Sequence, residues 1–166
     1  MTGIVDQISI YERALIKERT QRGVKRSFEL GKIGGATPPY GFTRSNDGFL
    51  IVDEFEKEHY LSMVEWVESG LSISEVVKRL NDREVPTKIQ RYRQWDEIKW
   101  KHRTTKELKS KKIENIYWKT TTVYKILQNP VAVGLRRFRN ELIQLPNGLK
   151  LIDKARWDHL QNKISR

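Results

Sequence analysis

The sequence predicts a mainly α fold with small β-hairpins, in which a long N-terminal helix precedes a compact helix-turn-helix-like domain. Three observations predict it. A helical apolar stripe at the N-terminus runs straight into a charged stretch; two helix-start signatures follow closely at Asp53/Glu56 and Ser72/Glu75; and turn chemistry at Asp47-Gly48 and Pro146-Asn147-Gly148 separates short apolar runs.

In the first helix Ile4, Ile8, Tyr11 and Leu15 share one face. Beyond Ile16 that stripe stops, and Lys17, Arg19, Arg22, Lys25 and Arg26 take over, with Arg19, Arg22 and Arg26 on one side. The helix is expected to change partners midway, from protein to something anionic, because the basic residues outnumber their acidic neighbours. The competing reading is a solvated surface balanced by Glu12, Glu18 and Glu29.

"GKIGGATPPYGF" follows. Gly31 suits a helix C-cap, Gly34 and Gly35 permit close backbone approach, and Pro38-Pro39 force an extended exit. Two short strands around Asp47-Gly48 come next. Asp53 and Glu56 fit a capping box that opens a helix with Tyr60, Val64 and Val67 inside and Gly70 just past its end. Ser72 and Glu75 repeat the signature ahead of Ile73, Val76, Val77 and Leu80, and Pro86 closes this helical hairpin.

The hairpin needs a third helix, which arrives only after a basic interval, residues 88–119. That interval reads as a structureless insertion rich in Lys and Arg, with Tyr92, Trp95 and Trp100 interleaved. Such aromatics either stack on bases or sugars or pin a loop onto the domain, and both readings stand. Thr120 is then expected to cap the third helix, with Val123, Ile126 and Leu127 inward and Pro130 at its end. Thr121, Thr122, Lys125 and Gln128 lie on its other sides; short hydroxyls, an amide and a lysine match base-edge groups in a major groove. A plain solvated face is the alternative. The remaining stretch reads as strands around Pro146-Asn147-Gly148, then a short helix with Trp157, Leu160 and Ile164.

A net charge of +11 over 166 residues points to a polyanionic partner, nucleic acid ahead of membrane. With no cysteine, disulfides, a zinc ribbon and thiol catalysis are excluded within this chain. No apolar run reaches membrane-spanning length and no signal peptide opens the chain, so a soluble cytoplasmic protein is expected. His59, His102 and His159 are scattered, the glycine cluster lacks the ending of a phosphate loop, and no cofactor is called for. Both ends of the chain are expected to be cuts in a larger protein.

The stretch "YERALIKERTQRG" (Tyr11 to Gly23) resembles the helix that ends the catalytic domain of serine recombinases. "GGATPPYGF", "GLSISEVVKRLNDREVPT" and "WKTTTVYKILQNPVAVG" resemble the domain that follows it in large serine recombinases, the phage integrases, transposon recombinases and their relatives. The resemblance runs in order from about Ile4 to Asp153. It implies residues 1–30 as the end of the connecting helix, 31–39 as a linker along the minor groove, and 40–166 as the DNA-binding recombinase domain. By the same resemblance Arg13 and Arg19 lie near the cleaved backbone, Glu18 lies near the synaptic surface, and Lys32 gives the linker its charge. The helix would also serve a homodimer in the full-length protein, from a bacterium or a phage. The family's nucleophilic Ser lies in a domain upstream of these residues, and Ser9 and Ser27 lack its context, so no catalysis is expected of this segment. The partner implied is double-stranded DNA, one half of an attachment site. A free-standing helix-turn-helix regulator and a basic RNA-binding protein are the rival expectations.

Overall fold

The computed structural model describes residues 2–34, 37–92 and 96–165. The side chains of residues 2–6, 8 and 147 are outside that description, so the apolar stripe at Ile4 and Ile8 lies beyond it, as do Gly35 and Trp95. Six helices and three two-stranded antiparallel hairpins are present among the described residues. They pack as two units, residues 1–57 with 130–154, and residues 58–129 with 155–166.

The first unit begins with helix α1 (Thr2–Glu29). It ends where Gly31 turns left-handed (φ 77°): the Gly31 N–H donates to the Phe28 carbonyl and the Lys32 N–H to the Ser27 carbonyl. This paired closure satisfies carbonyls that the helix end would otherwise strand. The chain then adds to the hairpin β1 (Phe42–Arg44)/β2 (Leu50–Val52): the Ile33 N–H reaches the Gly48 carbonyl at 2.8 Å, and the Leu50 N–H reaches the Gly31 carbonyl at 2.9 Å. The start of the expected linker is thus held by backbone hydrogen bonds.

Gly41 carries the tightest constraint in this unit. Its φ is 88°, and a β-carbon there would sit 2.4 Å from Leu151 Cδ1. Its N–H donates to Glu56 Oε2 at 2.9 Å, and its carbonyl accepts from the Asp53 N–H at 3.0 Å. The Asp53 half of the expected capping box is present, and Glu56 has a further role. Asp53 Oδ1 accepts from the Glu56 N–H at 3.0 Å, while the buried Glu56 carboxylate holds Gly41.

The second sequence segment of this unit supplies a 3₁₀ turn (Pro130–Val133) and the hairpin β5 (Leu135–Phe138)/β6 (Glu141–Gln144). The connection is Arg139-Asn140, with Arg139 at φ 53°, and not the expected Pro-Asn-Gly. The Leu145 N–H still reaches the Gly134 carbonyl, but Pro146 has no N–H to continue the ladder, so Pro146–Gly148 forms a 3₁₀ turn that ends the strand.

In the second unit, helix α2 (Glu54–Glu68) buries Tyr60, Met63, Val64 and Val67 at helical spacing and closes through Gly70 (φ 100°). Helix α3 (Ile73–Asp82) opens on Ser72 with a complete capping box, its amide and hydroxyl both on Glu75. Val76 and Leu80 are fully buried. After the short α4 (Lys88–Arg91), the interval expected to be structureless forms a hairpin, β3 (Glu97–Lys101) with β4 (Leu108–Lys112). Helix α5 (Thr120–Leu127) packs on α3 through Val123 and Leu127.

Two boundaries of α5 differ from expectation. Lys119, in extended conformation, is the N-cap, and Thr120 already lies in the helix. The cause is upstream: Asn81 holds both the N–H and the carbonyl of Trp118, whose indole donates to the Val85 carbonyl at 2.7 Å, so the entry point is set before the threonines. At the other end α5 stops at Leu127, three residues short of Pro130, and Gln128 is its C-cap.

Helix α6 (Lys154–Ile164) buries Leu160 and ties the unit together. Arg156 forks onto Glu68 at 3.0 and 2.8 Å, Lys163 Nζ donates to the Glu68 carbonyl, and Gln161 donates to the Leu127 carbonyl. The hydrogen bond from Arg156 holds the Glu68 carboxyl below its ordinary value.

Substitution should separate two of the glycines. Gly41→Ala forces a left-handed alanine against Leu151, and the expected loss is about 2 kcal/mol or more by urea denaturation. Gly34→Ala, at a position with open space, is expected to stay within about 0.5 kcal/mol of the parent chain. A second expectation concerns pH. Because the folded-state Glu68 value is depressed, its contribution is present above the unfolded carboxyl value and is lost as pH falls through the folded one. Glu68→Gln should therefore lower the unfolding free energy at neutral pH by about 1 kcal/mol or less, since the pair is still partly solvated. The gap should close as the solution is acidified below the normal carboxylate range.

Candidate nucleic-acid interface

The expected contact residues fall on both units. On the first unit, Arg13 and Arg19 are exposed on α1 and carry no ion pair among the described residues. Arg22 pairs with Glu18 one turn earlier, and Arg26 lies 3.7 Å from Glu29. Two of the three glutamates considered as balancing charges thus do balance, through exposed pairs worth a few tenths of a kcal/mol at most, ~0.3–0.5.

Lys25 has a different role from its neighbours. Its ammonium donates to Glu141 on β6 at 2.8 Å, across 116 residues of sequence. That hydrogen bond raises the Lys25 value and lowers that of Glu141. The same hairpin grips the helix end through rings: Phe28 and Phe138 meet at 5.1 Å between centroids, and the Arg136 guanidinium lies 3.6 Å from the Phe28 centroid. Arg136 Nη1 donates to the Lys32 carbonyl at 3.0 Å. Burial holds the Arg136 value below normal, and among the described residues no anion lies beside it.

Between this hairpin and the last turns of α1 is a cleft of about 410 Å³, lined by Thr20, Gly23, Ser27, Lys32, Gly34 and Arg136 among others. Lys32 and Gly34, two residues singled out from the sequence, are brought together here with α1. Gly34 is exposed, its φ is outside the left-handed region, and a β-carbon added to it would meet nothing within 4 Å. Gly35 lies outside the described residues.

On the second unit, Thr121, Thr122 and Lys125 are exposed on α5, opposite the buried Val123 and Leu127. Gln128, as C-cap, is half-buried beyond the last turn. Two further cations were not singled out from the sequence: Arg79 and Arg83 on and after α3 stack on Trp66 at 5.6 and 5.0 Å. Arg136 was missed as well, although the run "RRFR" offered a signal. Of the aromatics interleaved in the basic interval, Tyr92 and Trp100 are 39% and 44% exposed, while Trp118, which was not singled out, is buried. No group of His, Asp or Glu among the described residues could hold a metal ion, and no described helix is long and apolar enough to cross a membrane.

The chain belongs to the Recombinase family, whose model matches residues 54–166. No curated protein matches it. Its fold is similar to that of a large serine recombinase crystallised with DNA, with a TM-score of 0.61 and 14% identity over 89% of this chain and 38% of the other. It is also similar to a structure solved for the sequence requirements of the Listeria innocua prophage attP site, with a TM-score of 0.57 and 14% identity over 89% of this chain and 51% of the other. The chain therefore spans about half or less of the length of these relatives.

Proposed function

We propose that this chain is the DNA-binding part of a serine site-specific recombinase and recognises one half of an attachment site in double-stranded DNA. The observation that carries the reading is the outward face of α5: Thr121, Thr122 and Lys125 stand exposed on a helix whose inner face is locked onto α3. A rigid helix presenting hydroxyls and an ammonium suits base-edge readout in a major groove. The charge of +11 and the exposed cations of α1 supply phosphate attraction.

In this reading residues 1–30 end the connecting helix of a catalytic domain, residues 31–39 link it to the DNA-binding domain 40–166, and residues 88–119 are a basic insertion. The linker, with Lys32, Gly34 and Gly35, follows the minor groove. Arg13, Arg19, Arg22, Lys25 and Arg26 cross the backbone, Lys25 doing so while paired to Glu141. The exposed Ile10, Tyr11 and Ile16 on α1 support a dimer contact in the full-length protein. The nucleophilic serine belongs to the parent protein. The chain alone binds DNA without cutting it, because binding groups cannot replace the attacking hydroxyl.

Competition among duplex DNA, single strands and structured RNA tests the reading, with duplex expected to win and its affinity to fall on the order of tenfold or more from low to physiological salt. Lys125→Ala should cost about 1–3 kcal/mol of discrimination at one or two base pairs, whereas Arg22→Ala should weaken all sequences alike. A binding-site selection profile unmoved by Lys125→Ala removes α5 from the groove. Preference for RNA would transfer the function to the exposed Trp100 hairpin.

A further inference from the structure

We propose that the cleft beside the last turns of α1 seats a phosphodiester of the bound DNA, with Arg136 as its clamp. The inference rests on the DNA-binding reading above and adds a residue and a site to it.

Arg136 is fixed on three sides. Its strand β5 is paired with β6, its guanidinium plane lies over Phe28 at 3.6 Å, and Nη1 donates to the Lys32 carbonyl at 3.0 Å. A guanidinium has five N–H donors in a rigid fork, so this bond leaves the others to serve a ligand. A half-buried cation gains from an acidic partner, since even partial removal of charge from water is costly. Arg136 has none among the described residues, although Glu141 on the neighbouring strand is close in sequence; that carboxylate is taken by Lys25. An anion brought to the cleft by a ligand would supply that partner.

The shape of the cleft specifies which anion. Its floor is α1, and it includes two glycines that the fold does not require. A β-carbon at Gly23 or at Gly34 would meet nothing within 4 Å, and neither glycine is left-handed. Glycine in a helix interior weakens the helix, so Gly23 has no local justification. Both are explained by a bulky backbone that must lie close along the helix, between the Arg136 fork and the Lys32 side chain. The Ser27 hydroxyl, on the same lining, adds a neutral donor. A sugar-phosphate strand of a duplex brings the required charge on a continuous backbone, whereas a protein carboxylate on a flexible side chain would not need the floor cleared.

The test measures binding of the whole chain to a mixed-sequence duplex of about 25 base pairs across a salt series, alongside Tm. Arg136→Met keeps a stem over Phe28 and removes the charge. It should lower the slope of log affinity against log salt by about one and weaken binding about fivefold or more near physiological salt; Arg136→Lys should restore most of the slope. Gly23→Leu introduces a better helix former, so Tm should hold or rise while affinity falls. These opposed signs exclude a folding explanation. An unchanged slope in Arg136→Met, or unchanged affinity in Gly23→Leu, overturns the clamp while leaving the DNA reading intact. A parent chain that binds the duplex with no salt dependence overturns both.

Discussion

The end of α1 is held by a cluster of three side chains, Arg136 over Phe28 and Phe28 tilted against Phe138, and the organisation of the first unit depends on it. A long helix that is exposed along most of its described side chains has little packing of its own to orient it, and helical stability in proteins comes largely from tertiary contact. Here that contact is concentrated in the last turns. Ring stacking, the Lys25–Glu141 pair and the bond from Arg136 to the Lys32 carbonyl all join the helix to the β5/β6 hairpin. The left-handed Gly31 then redirects the chain, and Pro146 fills the space where its β-carbon would be. Losing Phe28 would free the helix end, the cleft and the path of the linker together.

The glycines divide by the same logic. Gly31, Gly41 and Gly134 are left-handed, and a β-carbon at each meets neighbouring atoms at 3.1, 2.4 and 2.9 Å. Their demand is internal. Gly23 and Gly34 meet neither condition, and both border the cleft. A sequence reader sees a glycine-rich segment and assigns it one purpose; the backbone separates fold-serving positions from surface ones within ten residues.

Elements governed by local chemistry were legible in the sequence: the Ser72/Glu75 box, the closures at Gly31 and Gly70, the Asp47-Gly48 turn, and the buried faces of α2 and α3. What was not legible depended on partners far along the chain. Glu56 reaches back to Gly41, Lys25 finds Glu141, and Trp118 rather than Thr120 fixes the start of α5 because Asn81 holds it. The basic hairpin escaped notice for another reason. On β4 every residue is exposed, so no alternation of apolar and polar side chains marks a strand there. Of the candidate interface, the α5 face followed from helical periodicity, whereas Arg136 depended on a fold-back that no local pattern encodes.

The cations of the first unit are unequal in what binding would require of them. Arg22, Arg26 and Lys25 already face carboxylates, so a phosphate must compete with Glu18, Glu29 and Glu141 before it gains anything. Exposed pairs yield at small cost, but the gain is a difference between two similar contacts, and the long side chains must also be ordered. Among the described residues Arg136 has no carboxylate pair to break, and it has little freedom left to lose, because the ring and the carbonyl already hold its guanidinium. Its desolvation was met when the hairpin closed on the helix. A fixed, unpaired guanidinium therefore contributes more per charge to an anionic ligand than the more numerous lysines and arginines around it, and count alone is a poor guide to which cations matter.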